Sequence, residues 1–378
     1  MSLNDLKPIP FVTEYSEILA LLDGIDPVNY ARTRNYIDGQ VTRLSPYISR
    51  GVISTRMVME KVLQAGYGYA EVEKFLQELA WRDYWQLVWR NLGDRIDTDI
   101  RTEAVDFSNN MIPRALVEAY TGIEAVDNGV TELYQTGYMH NHLRMYTASI
   151  ACNIAGSHWR EPARWMYYHL LDGDWASNAL SWQWVAGTNS PKRYFANQEN
   201  INRYTHTRQQ GTFLDVPYDH FEKLECPALL KELMAFSDVT ELPATSEITF
   251  NPSAPVFIYN WYNMDPLWQS SRQEANRILL LEPSVFTRYP ICARNIRFLL
   301  DLGKNIKGLQ VFTGEFDDLV TRYQPVEIHY REHPLNAHYR GIEYPRDWLS
   351  DVRGEYRSFF VFWKKCSKEL QDLFRKNV

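Results

Sequence analysis

Cysteine is scarce in this chain, and its four residues, Cys152, Cys226, Cys292 and Cys366, lie more than 60 positions apart. None of the close pairs that zinc or iron–sulfur sites need is present, so no metal is expected and the thiols read as free groups in a reducing compartment. Long apolar runs are missing too. No stretch approaches the roughly 18 residues of a membrane span, and the opening MSLNDLKPIPFVTEYSEILALLDG lacks a basic start followed by an apolar core. No membrane partner and a cytoplasmic location are expected. Neither a GxGxxG nor a GxxxxGK occurs, which excludes a dinucleotide fingerprint or a P-loop of the usual form. There is no internal repeat and no long low-complexity tract. Positive charge is outnumbered, 40 Lys and Arg against 47 Asp and Glu, and the net charge of −7 argues against coating nucleic acid through overall charge.

What the chain has is aromatic surface: 12 Trp, 24 Tyr and 17 Phe. Such rings build cores, but they equally suit a stacking site for bases or a route for electron hopping. A length of 378 residues, 45% of them hydrophobic and 23% charged, predicts a globular protein of two domains. Against the acidic balance, Arg32, Arg34, Arg43, Arg50 and Arg56 face only Asp38, and Lys192, Arg193, Arg203 and Arg208 face only Glu199. A solvated charged face explains such segments about as well as a nucleic-acid contact.

Residues 1–235 carry helical periodicity. In 74–92, Phe75, Leu76, Leu79, Trp81, Tyr84, Trp85, Leu87 and Val88 recur at spacings of three and four, predicting a helix buried on both sides, and 133–156 reads likewise. The stretch 236–255 is polar and acidic with three prolines, and reads as a linker. Beyond it short apolar runs, Val256–Tyr259, Ile278–Leu281, Leu309–Phe312 and Val326–Tyr330, alternate with helical stretches near 291–306 and 315–322. That alternation predicts a parallel sheet in a Rossmann-like α/β layer, closed by a helix near 351–374.

Three constellations could carry chemistry. Ser45 followed by Pro46 reads as an N-cap with proline at the first helical position, a start whose free N–H groups suit phosphate, although most such starts bind nothing. In FLQELAWRDYW, Glu78, Trp81, Arg82 and Trp85 share one helical face; a Glu78–Arg82 surface pair beside buried tryptophans is the plainer account. In Tyr138–Met145, Asn141, Arg144 and Met145 fall within one turn of an otherwise apolar segment, and a buried Arg144 needs an anion, which the turn LDGDW offers through Asp172. Asp174 should cap the next helix, with Asn178 and Trp182 on one face and Trp184 just beyond.

Together TRLSPYISRGVIS, FLQELAWRDYW, GYMHNHLRM, SHWRE and DGDWASNALSWQW, in order between Tyr30 and Phe195, resemble the FAD-binding domain of the photolyase and cryptochrome family. The resemblance implies a mainly α protein, an α-helical FAD-binding bundle over 1–235 plus a smaller C-terminal α/β Rossmann-like domain over 256–378. It implies FAD contacts at Tyr30, Thr42, Leu44, Ser45, Arg82, Asn141, Arg144, Asp172, Asp174 and Asn178, with Asn178 facing flavin N5. Trp182 and Trp159 match the two inner tryptophans of an electron-transfer chain, whose outermost position falls near Asp106. For substrate, Trp81 and Trp184 match residues flanking a pyrimidine dimer, Glu78 the acid that hydrogen-bonds it, Met145 the pocket wall and Arg34 a phosphate-side position. His142 stands where many members have Arg. The implied activity is that of a deoxyribodipyrimidine photolyase, light-driven splitting of cyclobutane dimers in DNA by an electron from reduced flavin. The alternative is a cryptochrome-like blue-light photoreceptor that binds FAD and repairs nothing. A structural flavoprotein ranks third. The α/β layer follows the helical domain instead of preceding it, a departure that leaves antenna-chromophore binding doubtful.

Overall fold

The computed structural model describes residues 10–100 and 107–376. They fall into two compact units that interleave along the chain: residues up to Val28, Thr42–Asn91 and the chain from Val239 onward in one, Asn29–Val41 and Leu92–Asp238 in the other. This differs from a division at 236–255. Helical periodicity over 42–91 announces helices but not their partners, and these helices pack with the α/β layer. Trp89 lies edge-on to Tyr262 at 5.9 Å and to His333 at 4.9 Å. Arg50 is fully buried, its guanidinium 3.3 Å over the Trp261 ring, a cation–π contact strengthened by desolvation. Gly51, at φ +65, is fixed beside it, since a Cβ there would meet the Tyr262 carbonyl oxygen at 2.5 Å.

The sheet of this unit has five parallel strands, β1 (Val256–Tyr259), β2 (Asn276–Leu281), β3 (Leu309–Thr313), β4 (Ile328–Arg331) and β5 (Ile342–Tyr344), in the order β3-β2-β1-β4-β5. Every residue of β1 and β2 is buried, as expected of strands covered on both faces, and apolar runs fill all of β1 and Ile278–Leu281 of β2. Helices Ala293–Gly303 and Phe316–Tyr323 stand where the sequence puts them. Val256, Ile258, Ile278, Leu280, Phe312, Phe316, Leu319 and Ile328 form the core on one side. The fifth strand, too short and polar to announce itself, was not expected. The terminal helix starts at Phe359, eight residues later than the pattern suggested. The proline-rich stretch is no loose linker: Ser246 N–H donates to Val311 O at 3.0 Å and Thr245 Oγ1 to Thr313 O at 3.1 Å, so it runs as a strap along edge strand β3.

Among its described residues the other unit is helical apart from a ribbon between Ile112–Pro113 and Leu233–Met234. The stretch expected as one helix over 133–156 is instead two helices, Glu124–Thr136 and Asn141–Ser149, split at Gly137 (φ 76), with a π-turn over Ile150–Ile154. Trp175–Ala186 runs through the middle of the unit, packed on Asn141–Ser149 and Arg160–His169. It buries residues all round its circumference, the signature of a central helix rather than an amphipathic one. Among the described residues no helix is long and apolar enough to cross a membrane.

Candidate functional site

In the helical unit the acidic turn at 171–175 organises the candidate site. Asp174, buried, caps the Trp175–Ala186 helix as the sequence predicts, its Oδ1 accepting from Ser177 N–H at 2.7 Å. One turn on, Asn178 is buried, and its Nδ2 donates to Ala163 O at 2.8 Å. That bond fixes the amide and leaves Oδ1 as an acceptor with no protein partner among the described residues. The anion expected for Arg144 is Asp172: Nη2 lies 3.0 and 2.9 Å from its two carboxylate oxygens, while Nε donates to Met139 O at 2.8 Å. Asp172 is buried; such a charge is tolerated when it is both paired and hydrogen-bonded.

The tryptophans divide by exposure. Trp182 and Trp159 are buried, whereas Trp184 is 38% exposed and tilts against Tyr194 at 5.6 Å, a free ring surface on the helix flank. Trp159 donates its indole N–H to Asp99 at 2.7 Å, and Trp175 donates to Asp97 at 2.8 Å. Neither aspartate is legible in the sequence as an indole partner, because no periodicity ties the segment GDRIDTD to indoles 60 and more residues away. Asp106 lies outside the described residues. Of the remaining candidates in this unit, Tyr30 and Met145 are half-buried and Asn141 is exposed, the first residue of a helix capped by His140. Arg34 turns back on its own segment, Nη1 to Ala31 O at 2.8 Å. His142 stacks on Tyr146 at 4.7 Å and takes Asn35 O at 2.8 Å; burial lowers its pKa, so it is neutral at neutral pH and does not replace an arginine's charge.

In the α/β-containing unit the candidates are placed differently from expectation. Leu44, not Ser45, is the cap of a helix only five residues long, Ser45–Ser49, with Pro46 inside its first turn; Arg43 before it takes φ 52. The chain leaves helix there and restarts at Thr55 under a Ser54 cap. Thr42 and Ser45 are half-buried and Leu44 is buried. The Tyr69–Leu92 helix buries one side through Val72, Phe75, Leu76, Ala80, Asp83, Tyr84, Gln86 and Leu87, and near its end Trp89 is buried as well, on the flank of Glu78 and Arg82. Its other face carries Glu78, Trp81, Arg82 and Trp85 together, half-exposed, as the spacing requires. Glu78 pairs with Lys74 at 2.8 Å, and Arg82 reaches Ser49 Oγ at 2.9 Å. Trp81 is stacked face to face on Phe359 of the terminal helix, centroids 3.6 Å apart and planes 10° apart. Behind this face Asp83 is fully buried, accepting from Thr55 Oγ1 at 3.0 Å and Leu349 N–H at 2.7 Å, and burial raises its pKa to about 6. The basic stretch is also reduced: Arg50 is interior, and Arg56 is paired with Asp351 at 3.0 Å. Lys192, Arg193, Arg203 and Arg208 remain exposed.

Residues 75–229 match the family described as the FAD binding domain of DNA photolyase. A deoxyribodipyrimidine photo-lyase of Alkalihalophilus pseudofirmus is 33% identical over 178 residues, 46% of this chain and 37% of the relative. A cryptochrome DASH of Natronomonas pharaonis is 31% identical over 188 residues, 46% of this chain and 39% of the relative. The chain thus spans about two-fifths of the length of these curated relatives. Among solved structures, an archaeal photolyase from Sulfolobus tokodaii with two FAD molecules aligns at a TM-score of 0.46 and 28% identity, over 53% of this chain and 46% of that one.

Proposed function

Because residues 75–229 match the FAD-binding domain of DNA photolyase, we propose that the protein binds FAD and uses it for light-driven repair of cyclobutane pyrimidine dimers in DNA. FAD, when bound, supplies blue-light absorption and one-electron transfer; the chain supplies position, electrostatics and exclusion of water. The observation that carries the reading is the set of buried Asp172, Asp174 and Asn178 with the half-buried Arg144. These residues fit a flavin on their own chemistry: an amide oxygen left without a protein donor among the described residues, in the same unit as an ion pair already neutralised internally, suits a planar ring edged with N–H and C=O groups. Tyr30 and Asn141, of the same unit, are assigned to the cofactor with them. The parallel assignments of Thr42, Leu44, Ser45 and Arg82 rest on the resemblance alone.

On the substrate side, the exposed face of Trp184 is a stacking platform. Taking a dimer out of the duplex costs a few kcal/mol, and each base stacked on an aromatic side chain returns about 1–3 kcal/mol. Arg34 and Met145, of the same unit as Trp184, are assigned to the substrate with it; the assignments of Glu78 and Trp81 rest on the resemblance alone. Trp182 and Trp159 carry electrons toward the cofactor in this scheme. One observation favours the second reading, a blue-light photoreceptor without repair: the flat face of Trp81 that a base would use is already taken by Phe359.

The test is restoration of a defined thymine-dimer oligonucleotide by the FAD-loaded, chemically reduced full chain in blue light, with a dark control and Trp184→Ala. Repair in light that falls at least about tenfold in the variant supports the enzyme, on the stacking energy above. An intact dimer with FAD bound moves the assignment to the photoreceptor.

A further inference from the structure

Among the described residues, Trp159 is the buried indole of the proposed electron route whose N–H has a carboxylate acceptor within reach of solvent. Its ring is wholly buried, yet its Nε1 donates at 2.7 Å to Oδ1 of Asp99, whose side chain is 37% exposed. His158 meets the same oxygen through Nε2 at 3.2 Å. The imidazole cannot be the proton acceptor in this arrangement. Its Nδ1 accepts from the Arg160 backbone N–H at 3.3 Å, so in the neutral ring the proton sits on Nε2 and is donated to Asp99. Asp99 therefore receives two donors on one oxygen, on a side chain that is partly exposed. The ring partner of Trp159 among the described residues is His158, at 5.5 Å.

We propose that Asp99 is the proton acceptor that fixes the oxidised state on Trp159. The inference rests on the reading of Trp182 and Trp159 as an electron route to FAD, and it adds the group that makes the route's end hold its charge. In the step, an electron leaves the Trp159 indole to refill oxidised Trp182; the oxidising equivalent comes from photoexcited oxidised flavin. An indole that has lost an electron is a far stronger acid than indole itself. Its Nε1–H bond breaks, an O–H bond forms on Asp99, and the products are a neutral indolyl radical and a neutral carboxylic acid. The partly exposed acid then releases its proton to solvent. Return of the electron is slowed, because it now requires a proton back at Nε1. Trp175, in contrast, donates to Asp97, which is buried.

The experiment is laser-flash absorption on the full chain loaded with oxidised FAD, following the tryptophan radical cation and its conversion to the neutral radical. The variants are Asp99→Asn, Asp99→Ala and Trp159→Phe. Asn keeps an acceptor oxygen for the indole but not its basicity, so position is preserved while the proton transfer is lost. General-base assistance contributes about a hundredfold or more, so conversion should slow at least about tenfold in Asp99→Asn, recover in Asp99→Ala on adding acetate, and slow in heavy water in the wild type. Conversion at the wild-type rate in Asp99→Asn, or a wild-type rate indifferent to heavy water, overturns the role of Asp99 while leaving the electron route intact. No tryptophan radical in the wild type, or an undiminished one in Trp159→Phe, overturns the route and this inference together.

Discussion

Two half-hidden surfaces bear the candidate chemistry, and they treat their polar groups in opposite ways. Around the Trp175–Ala186 helix the chain satisfies Arg144 with Asp172, caps the helix with Asp174, and pins Asn178 by its amino group alone, so that one oriented acceptor is left over. On the outer face of the Tyr69–Leu92 helix the chain uses up what it displays: Glu78 is engaged by Lys74, Arg82 by Ser49, and Trp81 by Phe359. The first surface is prepared for a partner from outside the chain; the second is engaged by the chain's own side chains. The contrast separates the cofactor assignment, which the first surface supports, from the substrate assignment, which the second must still make room for.

The largest effect expected concerns the prepared surface. Arg144→Met leaves the Asp172 carboxylate buried without its cation, and breaking such a pair costs about 3–5 kcal/mol. Denaturant unfolding followed by tryptophan fluorescence should show that loss, with bound flavin released; a variant as stable as the wild type would reduce the pair to ornament. Next is the support under the engaged surface. The folded-state pKa of Asp83, about 6, lies above the ordinary 3.8. The folded chain thus keeps a proton that the unfolded chain gives up, and its advantage is full below the unfolded value and lost as pH rises through the folded one. Between about pH 4 and 6 the wild type should lose about 3 kcal/mol of stability that Asp83→Asn, which has no proton to lose, does not. Parallel pH profiles for the two proteins would contradict this. The smallest effect addresses the stack itself. Phe359→Leu keeps an apolar side chain but gives up an aromatic contact of about 0.5–1.5 kcal/mol. If Phe359 competes with a base for Trp81, affinity for dimer-containing DNA should rise roughly twofold to tenfold; an unaltered affinity would remove Trp81 from the substrate site.

Local pattern was legible. The spacing of Asp174, Asn178 and Trp182 gave a capped, buried helix, the pairing of Arg144 with Asp172 followed from the cost of an unpaired interior charge, and four of the five parallel strands stood out as apolar runs. Long-range partnership was not legible. That Thr42–Asn91 packs with the α/β layer depends on contacts such as Arg50 over Trp261 and Asp83 with Leu349, separated by hundreds of residues and bound to no period. The same holds for Asp99 under Trp159 and Phe359 on Trp81. The shift of the helix cap from Ser45 to Leu44 is a smaller failure of the same kind, since a Ser-Pro start predicts a turn of helix but not the left-handed Arg43 that brings the chain into it.

Central to this proposal is that the full chain holds FAD and responds to blue light through it. The direct measurement is the absorption spectrum of the purified full chain after incubation with FAD and removal of the excess, recorded before and after blue light with an external reductant present. The account predicts about one tightly held FAD per chain, with the oxidised flavin bands bleached by light and unaffected in the dark. A chain that folds yet retains no FAD, or holds it without any response to light, would contradict it.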